Sequence, residues 1–208
     1  MQQPSRRCPR CGNLAFPANL PLWIGIDASV KRDSTAIVAC ALEPGSQRVR
    51  LVNHKIFQPS PDDPLNFEAT IERTVLQWAA KYRIAGAVYD PYQRLSTSQR
   101  LSTAGITMMP YDQTVPALVE ASSNLYEILK AGNLRAYPDE DLRKAIGHAV
   151  GKETPRGVRI TKEKTSHKID VVIALAMAAL AATKYGPSWA EWHQPQQPAW
   201  DLDNFYQR

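Results

Sequence analysis

Residues 22–27 read LWIGID, an apolar run that ends on an acidic residue, Asp27. The stretch 34–42, STAIVACAL, is again apolar, and 48–57, RVRLVNHKIF, alternates apolar and polar side chains. Runs and alternation of this length indicate β-strands, and the Pro-Gly-Ser sequence at 44–46 is a turn signal between two of them. We therefore predict three antiparallel strands that follow one another along the chain.

Past residue 60, helices and short strands alternate. Three sequential strands followed by strand–helix–strand units predict a mixed sheet covered by helices. The expected fold is α/β, a ribonuclease-H-like mixed β-sheet of about five or more strands flanked by helices on both faces. The predicted helices cover 63–82 (capped by Asp63, with Pro64 at its first position), 93–105, 115–132, 139–150 and about 167–184 (capped by Thr165 or Ser166), and the predicted strands cover 84–90, 106–110 and 158–161.

The composition divides the chain into a domain and two tails. Residues 1–20 form a polar N-terminal tail, 21–185 the folded domain, and 186–208 a C-terminal tail rich in Pro and Trp. Cys8 and Cys11 form a CxxC pair, which is half of a zinc ribbon. A structural zinc ion needs four ligands, so the pair is read either as part of a zinc site or as the remnant of a neighbouring module.

The charge and hydropathy of the chain limit its partners. The formal net charge is +5, which is compatible with a polyanionic partner without requiring one. The longest apolar run, 171–182, is shorter than the roughly 18 residues that span a bilayer, and the N-terminus lacks the apolar segment of a signal peptide. We therefore expect a cytoplasmic protein without a membrane partner.

Three aspartates occupy positions where a carboxylate is costly. Asp27 and Asp90 each end an apolar strand, and Asp170 is the only charged residue in the apolar stretch 169–182. A carboxylate in a dry site is disfavoured unless it is paired or bound to a cation. Neighbouring strand ends would place Asp27 beside Asp90, and a helix packed across that edge would add Asp170. Hard carboxylate oxygens suit Mg²⁺ or Mn²⁺, so we predict a metal site shared by the three acids.

Three motifs carry a family resemblance over about 22–184. GIDASVKRDSTAIV at 25–38, AVYDPYQ at 87–93 and KIDVVIALAMA at 168–178 resemble, in this order, the three motifs of phage terminase large-subunit nucleases. Each motif alone is weak, and the three together are specific. The resemblance implies a ribonuclease-H-like, metal-dependent endonuclease that cleaves double-stranded DNA with little sequence preference during genome packaging in the host cytoplasm.

The resemblance also implies roles for particular residues. Asp27, Asp90 and Asp170 would be the catalytic and metal-binding acids, holding two Mg²⁺ or Mn²⁺ ions that clamp the phosphodiester. Asp33 would be an auxiliary acid, and Lys168 would neutralise a phosphate or a carboxylate. The implied partners are an ATPase motor domain or subunit, a small terminase subunit and a portal. The chain itself has no GxxxxGK[ST] phosphate-binding loop.

Basic residues cluster just before the third motif. A basic loop beside a carboxylate site suits contacts to the DNA backbone, of which Lys162, Lys164 and Lys168 are the main candidates; otherwise the segment is a solvated hairpin. His148 and His167 are further candidates near the site. The basic residues of the cluster are Lys152, Arg156, Arg159, Lys162, Lys164 and Lys168.

Two alternative functions are compatible with the same pattern. One is another nuclease of this fold, such as a junction resolvase or a transposase-like nuclease, which would be recognised by a preference for branched DNA. The other is a non-catalytic DNA-binding module, which would bind DNA without cutting it.

Overall fold

A computed structural model describes residues 20–28, 34–58, 66, 68–91 and 95–192 of the chain, and for residues 68, 69, 95 and 188–192 it describes the backbone alone. Several predictions therefore lie outside the described residues: the Cys8 and Cys11 pair, the auxiliary acid Asp33, the helix start at Asp63 and most of the C-terminal tail.

The helices and strands are β1 Leu22–Asp27, β2 Thr35–Leu42, β3 Val49–Phe57, a π-helical turn Glu68–Glu72 that leads into α1 Arg73–Ala79, β4 Ile84–Tyr89, α2 Leu95–Thr103, β5 Met108–Pro110, α3 Val115–Lys130, β6 Leu134–Arg135, α4 Glu140–Gly147, β7 Ala149–Thr154, β8 Gly157–Lys162 and α5 Asp170–Trp192.

Six of the strands form one mixed sheet. Their order is β5-β4-β1-β2-β3-β6, and β7 and β8 form a separate two-stranded hairpin. β2 is antiparallel to both β1 and β3, whereas β4 is parallel to β1. The predicted meander is therefore confirmed, and so is the mixed sheet. β1, which carries the first acid, lies inside the sheet between β4 and β2.

Helices cover both faces of this sheet, as predicted. Successive side chains of a strand point to opposite faces, so Trp23 packs into the core below α3, α4 and α5, while its neighbour Ile24 packs into the core below α1 and α2. Two separate buried clusters thus sandwich the sheet, and this is the ribonuclease-H-like arrangement expected from the sequence.

The long helix α5 is the main cover of the first face. It packs on β1 and β2, and most of its residues between Asp170 and Ala182 are buried. By length and composition the segment Asp170–Pro187 is able to cross a membrane, but 72% of this window is buried inside the protein. Burial against the sheet accounts for its apolar character, as it does in the core helices of soluble proteins.

Four local features differ from the sequence-based expectations. The strands β6 and β7 were not predicted. The two-residue β6 pairs only with β3. The predicted helix 139–150 is wrong at its end, since α4 stops at Gly147 and Ala149 and Val150 begin β7, which pairs with β8. The predicted caps Thr165 and Ser166 are wrong, since α5 begins at Asp170. The helix also continues past Gly186 to Trp192, with Pro187 inside it, although proline lacks the N–H group that a helix interior uses.

Candidate active site

Two of the three predicted acids end adjacent parallel strands. Ile26 of β1 pairs with Tyr89 of β4, so the next residues, Asp27 and Asp90, occupy neighbouring positions on strands about 4.8 Å apart. Side chains two or four residues apart on a strand point to the same face. Asp27 lies four residues after Trp23, Asp90 lies two residues after Val88, and both Trp23 and Val88 pack below α5. Asp27 and Asp90 therefore belong to the face of the sheet that α5 covers, and both are half-buried.

The third acid reaches this end of the sheet through the direction of α5. The backbone of Ala174 approaches Gly25 so closely that no side chain fits between them. Further along the helix, the ring of Tyr185 lies against Trp23, with ring centroids 5.4 Å apart. Helix α5 thus runs antiparallel to β1, and Asp170, one turn before Ala174, comes to the end of β1 that carries Asp27.

A buried hydroxyl fixes the carboxylate of Asp170. The Ser34 side chain donates a hydrogen bond to Asp170 Oδ2, and the two residues are 2% and 9% exposed. Ser34 directly precedes β2, whose start lies beside the end of β1 because the two strands are antiparallel. The position of Asp170 in the first turn of α5 adds the favourable end of the helix dipole.

An amide side chain holds the carboxylate of Asp27. Gln113 Nε2 donates to Asp27 Oδ1 at 3.1 Å. The loop that carries Gln113 is anchored on both sides: Tyr111 N donates to Tyr89 O at 2.8 Å, and the Thr114 side chain caps α3. The Tyr111 hydroxyl donates to Ala117 O, and burial raises the pKa of Tyr111 to about 12, so it stays protonated near neutral pH.

Sequence reasoning missed Ser34 and Gln113 as parts of this site. Ser34 lies inside the first motif, directly after Asp33, so a signal for it was present. The chain gives no local signal for Gln113, because its contact with Asp27 depends on β5 pairing beside β4 at the edge of the sheet.

The donor chemistry of the site suits a hard divalent cation. The carboxylates of Asp27, Asp90 and Asp170 are oxygen ligands of the kind that Mg²⁺ and Mn²⁺ prefer. Within the described part of the chain, no three His, Cys, Asp or Glu side chains are grouped closely enough to hold one ion together. The role of the acids as metal ligands stays a prediction.

The three lysines predicted to bind DNA lie at the end of the hairpin and in the segment that joins it to α5. Lys162 ends β8, Lys164 is exposed in the following turn, and Lys168 Nζ donates to Gln58 Oε1 at 2.9 Å. The hairpin itself rests on α3, where Ser123 Oγ accepts from Val158 N at 2.9 Å. The basic segment therefore includes a structured hairpin that is held on α3 near its turn, rather than a free loop.

Several solved structures share this fold. The large terminase of bacteriophage HK97 matches with a TM-score of 0.69 at 15% identity, over 83% of this chain and 41% of that one. The large terminase nuclease of the thermophilic phage G20c, with bound magnesium, matches with a TM-score of 0.62 at 16% identity, over 85% and 89% of the two chains. The large terminase nuclease domain of Thermus phage P74-26 gives 0.58 at 16%, over 84% and 87%.

These matches show which fold the chain has. It spans most of the isolated nuclease domains of G20c and P74-26, and 41% of the whole HK97 protein. No protein-family model matches the chain, and no curated protein sequence matches it. The resemblance indicated by the three motifs is thus confirmed at the level of the fold, which is that of phage large terminase nuclease domains.

Proposed function

We propose that this chain is the nuclease part of a viral DNA-packaging terminase large subunit. It would be a hydrolase, an endonuclease that cuts double-stranded DNA with little sequence specificity. The single observation that carries the proposal is the placement of three acids at one end of the sheet: Asp27 and Asp90 end adjacent parallel strands, and α5 brings Asp170 to the same end.

The proposed mechanism assigns each residue a task. Asp27, Asp90 and Asp170 would hold Mg²⁺ or Mn²⁺, two ions in all, with Asp33 as an auxiliary acid. When bound, the metal would lower the pKa of a water molecule, so that the water becomes a better nucleophile, and would neutralise charge on the phosphate. Ser34 and Gln113 are positioning residues, because each donates a hydrogen bond to one oxygen of a metal-holding carboxylate and so fixes the orientation of that carboxylate.

DNA contact would come from the base of the hairpin. Lys162, Lys164 and Lys168 lie on the segment that leads into Asp170, so their ammonium groups would neutralise backbone phosphates beside the cut. Contacts to phosphates position a duplex without reading its bases. This agrees with cleavage that has little sequence preference.

Further partners follow from the larger relatives. The large terminase of another thermophilic bacteriophage has been solved in complex with ATP-γ-S, and this chain spans 41% of it. By analogy we propose that the nuclease works with an ATPase motor domain or subunit, with a small terminase subunit and a portal, in the cytoplasm of the infected host. Such a setting involves no membrane partner.

Cleavage of supercoiled plasmid DNA tests the proposal. With Mn²⁺ the protein should convert plasmid to linear fragments. Asp90→Ala should slow this by about 100-fold or more, because it removes a proposed ligand of the metal that would stabilise charge on the phosphate in the transition state. Glu127→Ala, an exposed acid on α3, is the matched control and should cut normally. Full activity of Asp90→Ala would refute the assigned site.

DNA binding and cleavage of a branched substrate separate the alternative functions. Tight DNA binding by the wild-type protein without any cleavage would favour a non-catalytic module. Faster cutting of a four-way junction than of a linear duplex would favour a resolvase.

A further inference from the structure

The β7–β8 hairpin has one face turned to the core and one turned to solvent. Residues directly opposite each other in an antiparallel pair share a face, and the faces alternate along each strand. Ala149 and Ile160 pack against the core that α3, α4 and α5 cover. Lys152 and Arg159 pair one step further along than Ile160, so they belong to the opposite face, which we call the outer face. Val150 on this outer face is 38% exposed.

The helix α3 holds the hairpin in a fixed orientation. Ser123 Oγ accepts from Val158 N at 2.9 Å, and Ser122 Oγ accepts from Ile160 N at 3.1 Å. These are the N–H groups of β8 that point away from β7, so this edge of the hairpin rests on the helix. A two-stranded hairpin alone is only marginally stable in water. The contact with α3 therefore supports the outer face in one position.

Two cations oppose each other directly on the outer face. Lys152 and Arg159 are register partners, and like charges directly opposite each other destabilise a strand pair. Arg156 in the turn adds a third, exposed cation. In the part of the chain that the structure describes, none of the three forms an ion pair with an acid. The one acid within the two strands, Glu153, pairs with Val158 and so belongs to the other face.

This charge arrangement favours a polyanionic ligand. The three cations keep the outer face positive without any bound ion, and a locally unfavourable pair that a fold retains is typical of a functional surface. Lysine and arginine are the side chains that bind phosphate groups. The Cα atoms of opposed residues lie about 5 Å apart, and phosphates of one DNA strand rise by about 3.4 Å each. Two neighbouring phosphates are therefore within reach of this pair of side chains.

The base of the hairpin lies beside the start of α5. His148, which precedes β7, stacks on His167 with ring centroids 3.7 Å apart, and both residues line one cavity with Asp170. From that base β8 spans six residues, which is about 20 Å at the usual rise of a strand. The hairpin is therefore long enough to follow roughly six nucleotides of a duplex that passes the acids.

We propose that the outer face of the β7–β8 hairpin is a second DNA-binding surface, on which Lys152, Arg156 and Arg159 contact backbone phosphates. The proposal rests on the proposed function and deepens it. It adds contacts to those proposed at the base of the hairpin, and these contacts do not depend on a metal ion, because the positive charge belongs to the side chains themselves.

The salt dependence of DNA binding without metal tests this surface. Binding of a fluorescent duplex is measured by anisotropy in EDTA, which prevents cutting, at salt concentrations from about 50 to about 200 mM. Lys152→Gln and Arg159→Gln should each lower the slope of log K against log[salt] by about 0.9, and the double variant by about 1.8. Over this range of salt the wild type then loses about 12-fold more affinity than the double variant.

Two control variants separate a phosphate contact from other effects. Lys81→Gln removes an exposed lysine that follows α1 on the other side of the sheet, and it should leave the slope unchanged. Lys152→Arg keeps the positive charge and should also keep the slope.

Thermal melting separates DNA binding from folding. Because Lys152 and Arg159 repel each other, Arg159→Gln should melt at or above the temperature of the wild type, although it binds DNA more weakly. Melting of both single glutamine variants well below the wild type would contradict the repulsion on which the proposal rests.

The outcomes distinguish this proposal from the proposed function. Slopes of Lys152→Gln and Arg159→Gln equal to that of Lys81→Gln, in a chain that cuts plasmid with Mn²⁺, overturn the proposal for the outer face alone. Unchanged DNA binding by the double variant, together with loss of binding to poly-glutamate, would assign the outer face to an acidic protein and overturn it as well. A wild-type protein that neither binds nor cuts DNA would overturn both proposals.

Discussion

Asp170 is a buried carboxylate whose fixed position depends on one hydroxyl group. Ser34 donates to its Oδ2 across 136 residues of sequence, and both side chains are almost fully buried. Hydrogen bonds to charged groups contribute about 1.5–3 kcal/mol, and a buried carboxylate that loses its donor bears its full desolvation cost. Ser34 therefore stabilises the fold and orients a proposed metal ligand at once.

Replacing this serine should affect stability measurably. Ser34→Ala should lower the free energy of unfolding by about 1–3 kcal/mol in urea titrations without added metal. Ser102→Ala, an exposed serine in α2, should change it by less than about 0.5 kcal/mol. Equal stability of Ser34→Ala and wild type would show that the hydrogen bond makes no net contribution.

At the residue scale the sequence suggested the three proposed metal-binding acids but not the residues that donate hydrogen bonds to them. Asp27, Asp90 and Asp170 were identifiable because each interrupts an apolar stretch, where a carboxylate needs a special reason to be present. Gln113 was not identifiable, because an amide side chain in a polar loop is ordinary, and only the pairing of β5 with β4 brings its loop beside Asp27.

Among the elements, the contact between α5 and β1 determines the geometry of the site. Glycine at position 25 lets the helix backbone rest directly on the strand, since a Cβ there would overlap Ala174 O and lie 2.8 Å from Ala178 N. Neither of these atoms belongs to a flexible side chain. Any added atom must therefore displace the helix that carries Asp170.

Filling this contact should disturb both stability and activity. Gly25→Ala should lower the free energy of unfolding by about 3 kcal/mol, the upper end of the range for overpacking, because backbone atoms cannot move aside alone. Plasmid cleavage should fall as well, since Asp170 moves with α5.

A matched glycine provides the control for that substitution. At Gly147, which ends α4, an added Cβ would meet nothing within 4 Å, so Gly147→Ala should stay within about 1 kcal/mol of wild type. If Gly25→Ala proves as stable as Gly147→Ala, the close approach of α5 to β1 is not required by the fold.

Elements with their own sequence signal were predicted, and elements that depend on tertiary contacts were not. The helix α3 combined an apolar face with a terminal Gly132, whose φ of 67° is the left-handed conformation that ends helices. By contrast β7 is mostly exposed and forms against β8, which is held on α3 by Ser122 and Ser123. Nothing within β7 itself encodes that support.

For the whole molecule, chain order and sheet order together produce the site. Residues 27, 90 and 170 are far apart in sequence. They lie at the same end of the sheet because β4 is parallel to β1 and adjacent to it, and because α5 packs antiparallel to β1. The rings of His148 and His167 are stacked with centroids 3.7 Å apart, and they lie near Asp170 at this end. The fold thus places the three acids, the lysines and the stacked imidazoles at the same end of the sheet.

The domain limits of 21–185 and the two tails stay predictions. The helix α5 extends to Trp192, which is past the predicted end of the domain. Composition could indicate where apolar patterning stops, but it could not indicate that a helix would continue through Pro187, since proline disfavours a helix interior.

A crystal of the wild-type protein grown with Mn²⁺ tests the central claim most directly, because anomalous scattering locates the ion without reference to activity. The account predicts a peak about 2.1 Å from carboxylate oxygens of at least two of Asp27, Asp90 and Asp170. An ordered, well-resolved end of the sheet without any such peak, or manganese held only by other side chains, would contradict it.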